Sequence, residues 1–233
     1  MVTQKRVGFN AVVARLKSLS NPENVRGMAR FGINPENTLG ISVYTLRYIA
    51  KEIGKDHDLA RQLWDSGIHE GRLLACFVEP PEMVTEAQTE SWAGDFDSWD
   101  ICDQCCSVLF DKTPFAREKA VVWSERSEEF VKRAGFVLMA ALSVHDKKAD
   151  DAAFLRFLPI IRRESTDERN FVRKAVNWAL RNIGKRNLSL NCAAIKTAEE
   201  IRSIESKSAR WIAGDALREL TGEKVQRRLE KTG

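Results

Sequence analysis

One short motif occurs twice, and its spacing limits the fold more than any other feature. Phe130-Val131-Lys132-Arg133-Ala134 returns as Phe171-Val172-Arg173-Lys174-Ala175, 41 residues later. Ala179-Leu180-Arg181-Asn182-Ile183 returns as Ala216-Leu217-Arg218-Glu219-Leu220 after 37 residues. Two further stretches, Glu70–Glu79 and Trp99–Phe110, are earlier candidates for the same element. A period of about 30–45 residues with helical spacing inside each unit marks stacked helix pairs. No pair buries its apolar face alone, so the neighbours must supply the core.

The local patterns agree. Leu46, Ile49, Ala50 and Ile53 share one helical stripe, as do Leu73, Leu74, Phe77 and Val78, and again Ala134, Val137, Leu138 and Leu142. Residues 10–19 read as a first helix, and Gly and Pro fall mainly between apolar-periodic runs. No segment alternates as a strand would. The expected fold is all-α, an α-solenoid of HEAT-like or armadillo-like helix pairs, in one domain spanning residues 1–233. Its concave face is expected to be basic and to bind a partner.

Charge supplies the reason for a basic face. Residues 1–109 hold 11 Lys and Arg against 15 Asp and Glu, net −4, whereas residues 110–233 hold 26 against 18, net +8. Between Arg156 and Arg186 nine basic residues meet three acidic ones. Such a split suits a phosphate-bearing partner, although a solvated helical face has the same composition. No run of about 18 apolar residues is present, so no membrane span is expected. The N-terminus lacks the apolar stretch of a secretory signal, and five cysteines without such a signal suit reduced thiols in the cytoplasm.

The stretch Asp97-Ser98-Trp99-Asp100-Ile101-Cys102-Asp103 carries the densest chemistry. With Asp97 or Ser98 as N-cap, Trp99 and Asp103 stand at i and i+4 on one face. A ring beside a carboxylate suits a cationic or oxocarbenium-like species. The same residues also suit a plain helix start, with Asp100 and Asp103 complementing the dipole and Trp99 in the core. Further on, Lys132-Arg133 and Arg173-Lys174 occupy matching repeat positions, and Trp178 and Arg181 stand at i and i+3. These could form a phosphate-gripping wall, or Trp178 could pack inside with Arg181 at the rim. Cys102, Cys105 and Cys106 lack the second ligand pair zinc requires, and His57, His69 and His145 have no ligand spacing. Neither a metal nor another cofactor is expected.

The segments Met28–Ile33, Leu39-Gly40-Ile41, Leu46-Arg47, Leu63-Trp64, His69–Ala75, Ser98–Asp103, Val131-Lys132-Arg133 and Lys174–Arg181 fall in an order that resembles the AlkD-type DNA alkylation repair glycosylases. This bacterial and archaeal family is built from HEAT-like repeats, and the resemblance covers roughly residues 5 to 222. It implies an enzyme that excises positively charged N3- and N7-alkylated purines from double-stranded DNA, without metal and without flipping the base; a monomer is expected. By the resemblance, Trp99 and Trp178 pack against the deoxyribose and Asp103 faces the anomeric carbon. Arg133 grips the lesion strand with Lys132 as helper, and Arg181 meets a nearby phosphate; Arg173 and Lys174, from their matching repeat positions, are further candidates for DNA contact. Three departures stand out: Phe130 where relatives often carry Trp, Met28-Ala29-Arg30-Phe31 where many carry a Tyr-Met-Lys run, and an added stretch from His145 to Asp151. A non-catalytic HEAT-repeat module that binds DNA or protein is the alternative.

Overall fold

A computed structural model describes residues 7–231, and among these there is no strand. The chain forms two compact units, the first ending at Thr113 and the second beginning at Pro114. The boundary leaves the charge division as the sequence draws it, because Asp111 and Lys112 cancel.

The first unit contains α1 (Phe9–Ser18), α2 (Pro22–Arg30), α3 (Val43–Ile53), α4 (His57–Asp65), α5 (His69–Val78), α6 (Glu86–Gly94) and α7 (Trp99–Val108), with 3₁₀ turns at Pro81–Met83 and Phe110–Lys112. Several starts are written into the sequence. Asn21, Ser42, Asp56 and Thr85 each accept a backbone N–H of the first turn, and Pro22 follows Asn21 where a missing donor costs nothing. Leu46, Ile49 and Ala50 of α3 are buried, as the stripe predicts. Trp64 and Trp92 stack at 4.0 Å in parallel planes, with Phe96 edge-on to Trp64. The Trp64 Nε1 donates to Asp95 Oδ2 at 2.9 Å, which satisfies the one polar atom of an otherwise apolar ring.

The second unit contains α8 (Ala116–Ser124), α9 (Glu129–His145), α10 (Ala152–Leu155), α11 (Leu158–Glu164), α12 (Asn170–Gly184), α13 (Leu188–Arg202), α14 (Lys207–Leu220) and α15 (Glu223–Glu230). The helix α12 packs against both α9 and α14, so the repeated motifs lie on successive neighbouring helices. Phe130 and Phe171, the first residues of the two motif copies, meet with ring centroids 5.5 Å apart. Residues from Val131 to Ser143 of α9 are almost all buried. Each large side chain there contributes about 1.5–3 kcal/mol through removal from water. The close packing of α8 on α9 depends on Gly135, where a Cβ would lie 2.5 Å from the Ser124 backbone nitrogen.

Hydrogen bonds between neighbouring helices keep the repeat period. In the first unit His69–Asp100 and Trp64–Asp95 are each separated by 31 residues. In the second, Arg133–Phe171, Asn177–Asp215 and Arg181–Glu219 are each separated by 38. The stretch from 146 to 151 is a connection between α9 and α10, held by Arg117 to Asp146 and by Asn187 to Asp151.

Candidate functional site

In the first unit the candidate residues are set by the start of α7. Ser98 occupies the N-cap position, yet its hydroxyl accepts the Asn34 backbone N–H at 2.9 Å instead of a helix donor. Asp97 Oδ2 accepts Asn34 Nδ2 at 3.0 Å. The Trp99 Nε1 donates to the Phe31 carbonyl at 3.1 Å. Three contacts therefore tie the segment after α2 to the first turn of α7, and Trp99 is half-buried rather than in the core.

The three aspartates of this stretch have different surroundings. Asp97 is exposed. Asp100 is 8% exposed, and its Oδ2 lies 2.9 Å from Nε2 of His69, itself buried. Asp103, one turn beyond Trp99, is half-buried, while Ile101, Cys102, Cys105 and Cys106 are fully enclosed. Trp99 and Asp103 thus occupy the accessible stripe of an otherwise buried helix. The thiols of Cys105 and Cys106 are pushed up by burial, so they are small core residues and poor nucleophiles. Among the described residues, no group of three His, Cys, Asp or Glu side chains is arranged to hold a metal.

Two supports were invisible to sequence reasoning. Glu70, fully buried, accepts the backbone N–H groups of Leu39, Gly40 and Ile41 at 2.8, 2.6 and 3.1 Å. It fixes a turn in which Gly40 has φ +80° and any Cβ would overlap the Asn21 carbonyl oxygen. His69 is held above the ordinary histidine value: burial opposes the charge, and the Asp100 hydrogen bond and charge outweigh it. The signal for both lay in His69-Glu70, whose partners are about one repeat away.

In the second unit the basic residues are largely engaged. Lys132 Nζ lies 2.5 Å from Glu164 and 3.5 Å from Asp167, with its side chain 12% exposed. Arg133 is 5% exposed, and its Nη1 donates to the Phe171 carbonyl at 2.6 Å. Glu164 at the end of α11 and Asp167 after it engage Lys132, and α12, packed along α9, engages Arg133. Arg181 pairs with Glu219 at 2.6 Å and Asp215 at 3.3 Å. Arg173 lies over the Trp211 ring at 5.1 Å, while Lys174 is exposed and Trp178 half-buried. Glu164 and Asp167 are held below the usual carboxylate values against the cost of burial, by Lys132 with Arg163 and by Arg169 with Lys132 respectively.

Stacked helix pairs with repeat-spaced hydrogen bonds define an all-helical repeat protein. The model of the DNA alkylation repair enzyme family matches residues 12–220, and the chain belongs to that family. One similar solved structure is described as a new family of proteins related to the HEAT-like repeat DNA glycosylases with affinity for branched DNA structures. It is 18% identical, covers 93% of this chain and 97% of its own, and has a TM-score of 0.77, a likeness of fold. No curated protein matches the sequence.

Proposed function

We propose that the protein is a DNA glycosylase that removes positively charged N3- or N7-alkylated purines from duplex DNA. Membership of a DNA alkylation repair family supports this reading, and one observation carries it to the residues. Trp99 and Asp103 share the accessible stripe of α7, and Trp99 is anchored through its N–H. A cationic base leaves with the electrons of the broken glycosidic bond and becomes neutral, so it needs no general acid. The deficit falls on the sugar, where the Asp103 carboxylate offsets developing positive charge and orients the water that adds to C1′. That water loses a proton to Asp103 or to solvent. Trp99 packs against the deoxyribose while the base stays in the stack, Trp178 is a second sugar-packing ring, and neither metal nor cofactor takes part. Lys132, Arg133, Arg173, Lys174 and Arg181 serve the DNA backbone, directly or by shaping the α9–α12 surface.

Release of N7-methylguanine from methylated duplex DNA tests the reading; no release from any cationic lesion would overturn it. A second reading, a DNA-binding module without base release, draws on the ion pairs that occupy Lys132 and Arg181 and on the similar protein with affinity for branched DNA. It predicts tighter binding to a branched junction than to a methylated duplex, with no base released from either.

A further inference from the structure

The first unit is acidic by sequence, yet one of its clefts is lined by four cations. This cleft, of about 390 Å³, opens where the C-terminal ends of α3, α5 and α7 come together. Arg47, Lys51 and Lys55 follow one another at four-residue intervals along α3 and its exit, Lys112 closes the far side, and Phe77 forms an apolar wall. No carboxylate lines it.

The partners of these cations are all neutral. Arg47 donates to Gln104 Oε1 at 2.9 Å and lies over the Phe77 ring at 4.8 Å. Lys55 Nζ donates to the carbonyls of Phe77 and Glu79 at 3.0 and 2.8 Å, and Lys112 Nζ to the Val108 carbonyl at 2.7 Å. Lys51 is exposed, and none of the four is ion-paired among the described residues. The carboxylate of Glu79, a nearby acid, is buried and taken by His57 Nδ1 at 2.7 Å and Gln88 at 3.1 Å. Helix C-termini attract cations, which accounts for Lys55 and Lys112. Lys51, in the last turn of α3, gains from the same effect, but a carbonyl dipole does not cancel a full charge. The ammonium of Lys55 is held below the ordinary lysine value by burial and by the like charge of Lys112, which outweigh the opposing charges of Glu79 and Glu82. In the second unit, by contrast, Lys132, Arg163, Arg169, Arg181 and Lys185 all face carboxylates.

We propose that this cleft binds a backbone phosphate of a nucleic-acid strand, with Lys51, Lys55 and Lys112 around the phosphate and Phe77 against the adjoining sugar. It would be a contact additional to the Trp99–Asp103 stripe, and it rests on the DNA-binding part of the reading above. Arg47 is held by Gln104, the residue next to Asp103, so the cleft and the candidate site share one scaffold.

Lysine acetylation followed by mass spectrometry tests this on the full chain. A short DNA duplex should slow acetylation of Lys51, Lys55 and Lys112 several-fold while leaving exposed Lys196 unchanged, and high salt should abolish the protection. The variant Lys51→Gln with Lys112→Gln should bind the duplex more weakly. Its log–log salt dependence should be shallower by about 0.9, the contribution of the one phosphate left unneutralised, while Lys196→Gln keeps the wild-type slope. Unchanged acetylation in saturating duplex, or an unchanged slope, would overturn the proposal. Equal protection by inorganic phosphate at matched phosphate concentration would also overturn it, in favour of a free-anion site. Base release without protection would sink the cleft and spare the glycosylase; protection without base release would do the reverse.

Discussion

The guanidinium of Arg133 reaches across from α9 to the carbonyl of Phe171 on α12, so a side chain of one motif copy binds the backbone of the next. This carbonyl lies in the first turn of α12, and the charge of Arg133 is engaged within the protein. Arg133→Ala should therefore lower unfolding stability by about 1.5–3 kcal/mol, the range for a hydrogen bond to a charged group. Urea denaturation checks this. An unchanged midpoint with weakened DNA binding would make Arg133 a direct DNA contact instead.

Asp103→Asn should remove most base release, by roughly 10²–10³-fold in rate on the scale of one lost electrostatic stabiliser. Duplex affinity should hold or rise slightly, since a negative charge is removed. Single-turnover release beside a binding titration separates the two effects. Wild-type release in the variant would exclude Asp103 as the carboxylate that faces the sugar.

Glu219 holds both Arg181 and Lys185. Glu219→Gln should free part of that positive charge and tighten duplex binding several-fold at low salt, with the gain fading as salt is raised. A variant whose affinity does not change at any salt concentration would place Arg181 and Lys185 outside the DNA contact.

The pair His69–Asp100 makes stability depend on pH with a definite sign. The folded-state value of His69 is raised above the ordinary 6.5, so the contribution of the charged pair is complete below that value. It is lost as the pH climbs through the folded-state value. The denaturation midpoint should fall as the pH rises from about 6.5 through that folded-state value, and His69→Gln should flatten that part of the profile. A rise over the same interval that His69→Gln removes would contradict this.

Two glycines in helices should respond in opposite directions. Gly135→Ala drives a methyl against the Ser124 backbone and should cost about 1–3 kcal/mol. Gly214, on α14, has open space around its missing side chain, and Gly214→Ala should stabilise by about 0.5–1 kcal/mol. Thermal melts of both variants provide the check.

The helices were legible because their apolar stripes and their capping residues are local signals. The stripe Leu46, Ile49, Ala50 and the cap Ser42 need no knowledge of the rest of the chain. The site was legible only in part. Spacing alone put Trp99 and Asp103 on one face, but it left open whether Trp99 was core, a matter decided by the Phe31 carbonyl 68 residues away. Charge counting located the basic region and left its availability open. Lys132 and Arg181 are neutralised by Glu164 and Glu219, acids that a running total subtracts without showing where they sit. The cleft at Lys51 escaped for the mirror-image reason, since four cations from two separate stretches vanish in an acidic average.

The repeat-spaced hydrogen bonds also bear on how such a chain can change its length. Duplicating the α13–α14 pair copies the acceptor in register, so Arg181 still finds Glu219, or a copy of it, on the next helix. Adding one residue within α12 instead turns everything beyond it by about 100°. Asn177, Arg181 and Lys185 would then lose their partners in a single step. Lineages should therefore differ by complete helix pairs or in connections such as 146–151, and seldom by single residues inside α9, α12 or α14.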